Sequence, residues 1–291
     1  MNDILIQAIV NGLLIGAFYS LIGMGLNCIF GVMKIINFCQ GELLMIGMYT
    51  AFFLYQAFGI DPYMAIPIVA VVMFGFGMLI QNLFVTPLLK NPSGSTTNLL
   101  FLTVGLGMLF QNLALIFFTA DFRSVKTDYS SALIQLGKLN MSVPKVVSFG
   151  SCIIITIILF VFFQHSRIGK QIRATSQNPV GAKLVGIHTN LIYMITYGLG
   201  ACVAGIAGSL LLPFYYVFPT VGATYSMRAY AVVVLGGLGN IKAAFIAGLL
   251  LGVLETLGSL LIGASFKDSV VFIAFILVLV FRQKLQERQA R

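Results

Sequence analysis

The chain has 291 residues, 59% of them hydrophobic and only 9% charged, with a formal net charge of +9. Ordinary soluble domains are about 25% charged, so this composition excludes a soluble catalytic domain and points to an all-α, polytopic integral membrane protein. The positive charge lies beside apolar segments and not on one folded basic face, which argues for a lipid membrane as partner and against nucleic acid.

Residues 4–31 are apolar for longer than the roughly 20 residues a crossing needs, and no basic leader precedes them, so they read as a retained first span. Gly12 and Gly16 stand at small-xxx-small spacing, which favours close helix packing over a permeation role. Residues 31–49, GVMKIINFCQGELLMIGMY, then bring Lys34, Asn37, Gln40 and Glu42 together between two apolar segments, with Gly41 breaking the pattern. Two readings stand: a short solvated interfacial loop, or polar side chains and loosened backbone lining part of a pathway.

Further spans follow at residues 43–58, 63–84, 99–119 and 146–163. Between the last two, the polar stretch 120–145 contains SALIQLGKLNMSVP, whose weak alternation predicts a hairpin or a short surface element. Cys28, Cys39, Cys152 and Cys202 are scattered without metal-ligand spacing, so no metal site is expected and they read as packing residues.

Residues 165–190, HSRIGKQIRATSQNPVGAKLVGIHTN, form a basic run with no Asp or Glu. Asn178 suits a helix N-cap, Pro179 the first helical position and Gly186 the position just past the end. That punctuation predicts a helix over residues 179–185. Val180, Leu184 and Ile187 are spaced to share one apolar face. The segment is a candidate docking element on the cytoplasmic side; the alternative is a plain surface loop.

Residues 191–212 make a glycine-rich span, and residues 213–228 are aromatic and turn-rich, suited to an interface. Residues 229–238 are apolar but short and end in LGGLGN, which reads as a broken or half-length helix. Gly236, Gly237, Gly239 and Asn240 are therefore the second candidate for a pathway. The run lacks the Lys-Ser/Thr pair of a nucleotide-binding loop. Residues 243–262 carry Gly248 and Gly252 at GxxxG spacing and then Glu255, a deeply placed acid expected to be a structural carboxyl paired with a neighbouring helix. Residues 269–281 make a last span, and the tail is basic.

Counted by predicted side, Lys34, Lys90, Arg167, Lys170, Arg173, Lys183, Lys242 and the tail fall on one side and carry nearly all the net charge. The other side, which includes Arg123, Lys126, Lys138, Lys145, Arg228 and Lys267, is almost balanced by its aspartates. The positive side is cytoplasmic, so the N-terminus lies outside, the C-terminus inside, and the chain makes about eight or nine crossings.

Three blocks carry a family resemblance. NGLLIGAFYSLIGMGLNCIFGVMKIINFCQGELLMIGMY, RATSQNPVGAKLVGIHTNLI and AVVVLGGLGNIKAAFIAGLLLGVLE resemble, in this order, the LivH-type permeases of branched-chain amino acid ABC importers. FCQGE departs from the Phe-Ala-His-Gly-Glu or Phe-Ala-Gln-Gly-Glu of many members. The resemblance implies one transmembrane permease domain, residues 1–291, with no catalytic residue and no cofactor of its own. It implies a second LivM-like permease, two cytoplasmic ATPase subunits that use ATP, and an extracytoplasmic amino-acid-binding protein, all at the bacterial inner membrane. The 165–190 segment becomes the ATPase-coupling element, with Arg173, Pro179, Val180, Ala182, Leu184, Gly186 and Ile187 as its residues. The substrate pathway is expected at Asn37, Gln40, Gly41 and Glu42 with Gly236, Gly237 and Asn240. Related permeases for urea, amides or other amino acids share much of this pattern. An ion-gradient-driven transporter or channel is the rival class, since broken helices suit it too; a structural or assembly membrane protein, with the polar breaks as packing features, is the third.

Overall fold

The computed structural model describes residues 2–90, 96–136, 139–263, 266, 269, 271–273 and 275–276. The last predicted span and the basic tail lie largely outside the described residues, as do Lys138 and Lys267. The apolar runs fold as helices: α1 (Asn2–Met33), α2 (Gln40–Phe58), α3 (Ile66–Ile80), α4 (Thr86–Lys90), α5 (Thr96–Phe118), α6 (Val143–His165), α7 (Arg167–Gln177), α8 (Pro179–Leu184), α9 (Thr189–Leu211), α10 (Val221–Gly236) and α11 (Ile241–Ile262). A π-helical turn, Gln81–Val85, joins α3 to α4. Among the described residues, six helices are long and apolar enough to cross a membrane. The 19-residue α2 and the 16-residue α10 are additional to these six.

The interior is apolar, and, unlike a soluble bundle, so are the outer faces. Val71, Phe101, Ile116, Phe117, Ile154 and Ile158 stand exposed on the outer faces of α3, α5 and α6. Water would penalise such a belt, whereas hydrocarbon solvates it, provided every backbone polar group is satisfied within helices. Lipid offers no hydrophobic drive between helices, so close van der Waals approach must hold the interior together. The small residues supply it. Along the α1–α11 seam, a Cβ on Gly16 would come within 2.8 Å of the Gly248 carbonyl, and the Ser20 hydroxyl donates to the Phe245 carbonyl at 2.7 Å. The predicted packing role of these glycines is thus where the structure puts them. The glycine-rich α9 lies in the centre against α1, α2 and α3: a Cβ on Gly25 would stand 2.9 Å from the Gly200 carbonyl, and one on Gly77 2.9 Å from Gly198 Cα.

The predicted hairpin forms at one end of the bundle, with β1 (Leu133–Leu136) antiparallel to β2 (Leu139–Ser142). The same end is tied by Gln7 Nε2 to the Asn140 carbonyl at 2.6 Å, by Tyr55 Oη to the Lys126 carbonyl at 2.7 Å and by a backbone bridge between Arg123 and Val217. Helices α7 and α8 mark the opposite end.

Three expectations change. The basic segment contains a second helix, α7, N-capped by Ser166, whose Oγ accepts from Gly169 N at 2.8 Å. Its buried face is Gly169, Ile172 and Thr175, with the cations outward, a pattern masked in the sequence by the density of charge. The short helix expected over 229–238 starts instead at Val221, because the aromatic stretch before it continues the helix inward. Arg228, counted with the outer surface charge, is therefore within α10 and buried.

Candidate functional site

Two regions hold the predicted site residues. The first is the break between α1 and α2. Residues 34–39 are non-helical, and Asn37, Cys39 and Gln40 are fully buried, so the segment is not a solvated loop. Its polar groups find partners inside the protein, as a backbone break at membrane depth requires. Tyr197 Oη donates to Asn37 Oδ1 at 3.1 Å, Asn37 Nδ2 donates to Gln40 Oε1 at 3.2 Å, and Gln40 Nε2 donates to the Gly200 carbonyl at 3.2 Å. Tyr230 Oη donates to the Phe38 carbonyl at 2.9 Å, and Phe38 N donates to Thr103 Oγ1 at 3.2 Å. Gly41 lies against Gly222 of α10, backbone to backbone, and its N–H donates to Ser226 Oγ at 2.9 Å. Glu42 is buried beside Ser226, and its Oε2 has no hydrogen-bond partner among the described residues. Among the predicted pathway residues it retains spare acceptor capacity at membrane depth.

The second region is the α10–α11 turn. Gly237 and Gly239 take φ of 92° and 84°, conformations open to glycine, and Asn240 Oδ1 caps α11 by accepting from Ala243 N at 3.1 Å. Asn27 of α1, which sequence reasoning missed, clamps this turn. Its Oδ1 accepts from Gly239 N at 2.9 Å, while its Nδ2 donates to the Gly237 and Asn240 carbonyls at 3.3 and 3.2 Å. A lone amide within an apolar span is the signal that was there to be read. Gly236 packs tightly, a Cβ there meeting Ala244 N at 2.6 Å.

The two predicted pathway sets do not form one wall. Gly25 touches Gln40, while Asn27, two residues on and nearly opposite on the helix, holds the turn. Between them lies an apolar cavity of about 270 Å³ lined by Phe30, Ile36, Phe38, Tyr230 and Leu238. The structure instead joins Asn240 to a coupling-set residue: Gly239, Asn240, Lys242 and Arg173 line one cavity of about 520 Å³ with Phe160 and Gln164.

In the coupling set, Asn178 Oδ1 accepts from Gly181 N at 2.9 Å, Pro179 opens α8, and Gly186 closes it at φ 84°. The capped helix matches its expectation to within one residue. The predicted apolar stripe does not stay on one face. Val180 is 68% exposed and Leu184 84%, but Ile187 lies beyond the Gly186 turn and packs against the core. The left-handed turn breaks the helical register that the spacing assumed. Ala182 is buried and fastens α8 down, and Val185 replaces Ile187 on the exposed patch. Arg173 is engaged within the chain: its Nη1 donates to the Phe163 carbonyl, at the C-terminal end of α6, where a cation is favoured.

A third feature escaped the sequence reading. Arg228 and Glu255, 6% and 7% exposed, form an ion pair with Nη2 to Oε1 at 2.8 Å and Nε to Oε2 at 3.2 Å. Nε also donates to Tyr19 Oη at 2.9 Å, and Nη1 donates to the Thr224 carbonyl at 3.0 Å. Glu255 thus has the structural pairing expected of it. Among the described residues no group of three or more His, Cys, Asp or Glu side chains could hold a metal ion.

The sequence profile of the family described as branched-chain amino acid transport system / permease component matches residues 8–281. The chain belongs to that family. It is a multi-pass membrane transport subunit of the inner membrane and not an enzyme. The permease is 31% identical to the high-affinity branched-chain amino acid transport system permease protein BraD of Pseudomonas aeruginosa, over 95% of this chain and 94% of the relative. It is 30% identical to the proteins LivH of Salmonella typhimurium and of Escherichia coli, each over 94% of this chain and 92% of the relative.

Proposed function

We propose that this permease is the membrane subunit of an ATP-binding cassette importer that moves branched-chain or other hydrophobic amino acids inward. It forms one transmembrane domain over residues 1–291, with about eight or nine crossings, the N-terminus outside and the C-terminus cytoplasmic. It works beside a second, LivM-like permease, two cytoplasmic ATPase subunits that use ATP, and an extracytoplasmic binding protein that delivers the amino acid. The chain itself uses no cofactor.

The observation that carries the reading is α8. A short helix, capped at both ends and held down by Ala182 and Ile187, offers Val180, Leu184 and Val185 outward at one end of an apolar bundle. Three exposed aliphatic side chains on a pre-organised helix suit a groove on an ATPase subunit, the helix-in-groove mode of recognition. Closure of the ATPase dimer would push α8 and α7 against the end of α6 and the α10–α11 turn, through the cavity that Arg173 shares with Asn240. A difference in ATPase binding between two permease states would shift their populations.

The substrate passes Asn37, Gln40, Gly41 and Glu42, and then Gly236, Gly237 and Asn240. The unpartnered Glu42 oxygen supports a transient contact with the substrate ammonium, and the apolar cavity beside Phe38 and Tyr230 supports an aliphatic side chain. A related permease for urea, amides or other amino acids is the second reading, because the same apolar cavity sets no charge requirement on what fills it.

The test is co-purification of the tagged chain from its native membrane in mild detergent, with ATPase activity read on the complex, for wild type and a Val180→Asp, Leu184→Asp double substitution. Wild type brings down ATPase subunits and the double variant does not. If no ATPase accompanies wild type under any gentle condition, the reading fails, and flux from the isolated chain in liposomes under an ion gradient becomes the next measurement.

A further inference from the structure

At the hairpin end, remote from α8, a cavity of about 290 Å³ opens between α1, the start of α6, α10 and α11. Its wall carries Tyr19, Lys145, Phe214, Tyr225, Arg228 and Glu255. Three aspects of this wall point to a ligand. The Arg228–Glu255 pair, nine-tenths buried, borders the space, so charge of both signs is held at its floor. Lys145, half-buried at the first turn of α6, faces the same space, and its ammonium makes no hydrogen bond or ion pair among the described residues. Most of the remaining wall is aromatic, with Ile15, Leu211 and Thr224 beside it: Phe18 meets Phe214 edge-on at 5.4 Å between centroids, and Tyr225 meets Tyr215 at 6.0 Å.

A half-buried ammonium without a partner favours an anion, since burial removes water and leaves the charge unanswered. Glu255 does not answer Lys145, because its charge is matched by Arg228, which places one hydrogen bond on each carboxylate oxygen and leaves each a lone pair for a further donor. Among the described residues the cavity therefore carries one net positive charge, with Lys145 and the Tyr225 hydroxyl as donors and Glu255 as an acceptor at the floor. This is the complement of a carboxylate beside an ammonium, with aromatic surface for an apolar side chain. Its volume suits a small metabolite more than a peptide.

We propose that this cavity is a receiving site on the extracytoplasmic side, where the carboxylate of an α-amino acid is taken by Lys145 and its ammonium faces Glu255. The inference rests on the amino-acid reading above and adds a site outside the predicted pathway residues. An aromatic-walled site with one half-buried donor binds weakly enough to release its ligand inward, which a stepping-stone on an import route requires.

The experiment uses the whole importer in nanodiscs and photo-leucine, a diazirine analogue of leucine, as the probe. After irradiation, labelled peptides are mapped by mass spectrometry, with unlabelled leucine or leucinol, which lacks the carboxylate, as competitor. Labelling is expected on the cavity wall, near residues 15–19 or 214–225. Leucine should remove it and leucinol should not. Lys145→Gln should abolish it and raise the uptake KM about tenfold, the loss of one charge-assisted hydrogen bond, while Lys145→Arg should restore both. Because the Lys145 ammonium makes no hydrogen bond or ion pair among the described residues, its replacement should keep the bundle intact, which the elution profile of the complex verifies.

If wild type imports leucine while the cavity stays unlabelled, or leucinol competes as well as leucine, the site is overturned and the transport reading stands. If wild type imports no amino acid at all, the transport reading itself fails. An anionic phospholipid that co-purifies with wild type and is lost from Lys145→Gln would make the occupant a lipid headgroup and overturn the proposal.

Discussion

Arg228 of α10 and Glu255 of α11 grip each other through two hydrogen bonds, at 2.8 and 3.2 Å, inside a bundle that is otherwise almost free of charge. Tyr19 of α1 completes the contact, so three helices meet at one ion pair. Removing one partner from a buried pair leaves an uncompensated charge, a penalty of about 3–5 kcal/mol, whereas removing both is often neutral. Arg228→Met or Glu255→Gln alone should therefore lower the Tm of the purified permease sharply or prevent its purification. The double variant Arg228→Met, Glu255→Leu should recover most of the loss. Equal damage from single and double changes, read by thermal denaturation in detergent, would show that the pair does not couple the helices.

Gly41 and Gly222 bring α2 and α10 into backbone contact. A Cβ on Gly222 would stand 2.8 Å from the Gly41 carbonyl carbon, with backbone and not a flexible side chain in the way. Gly222→Ala must push the helices apart and break the bond from Gly41 N to Ser226, so both Tm and uptake should fall. Gly105→Ala, where the added Cβ meets no described atom within 4 Å beyond its own helical backbone and chain neighbours, should leave both unchanged.

Glu42 presents a buried carboxylate oxygen with no hydrogen-bond partner among the described residues. Such a group costs stability and persists where function uses it. Glu42→Gln should hold or raise the Tm while slowing uptake. Unchanged uptake rate and selectivity in both Glu42→Gln and Asn240→Ala would remove the pathway assignment.

Asn178 caps α8 through the bond from Gly181 N. Loss of an N-cap costs about 1 kcal/mol, enough to fray a six-residue helix without unfolding the bundle. Asn178→Ala should keep the Tm but weaken stimulation of ATPase activity by the binding protein; Asn178→Ser or Asn178→Asp should restore it. A fully coupled Asn178→Ala complex would mean that α8 needs no pre-organisation.

Asn27 satisfies three backbone groups of the α10–α11 turn. Asn27→Leu leaves those groups without their partner in a low-dielectric setting, so hydrogen exchange across residues 237–240 should rise well above wild type. Protection equal to wild type would show that the turn is held by its glycines alone.

Sequence alone determined the membrane class, the family and most helices, because hydropathy is a property of contiguous residues and a lipid solvent enforces it segment by segment. It determined α8 for a similar reason: Asn178, Pro179 and Gly186 act within a few residues of themselves. Tertiary structure decided what depends on neighbours distant in the chain. The spacing of Val180, Leu184 and Ile187 could not show that a left-handed turn sends Ile187 into the core. Charge counting set Arg228 at the surface because its partner lies 27 residues away on another helix. The solvated-loop and pathway-lining readings of residues 34–39 could not anticipate that Tyr197, Thr103 and Tyr230 would receive the freed polar groups. That is a matter of packing, which local pattern does not encode.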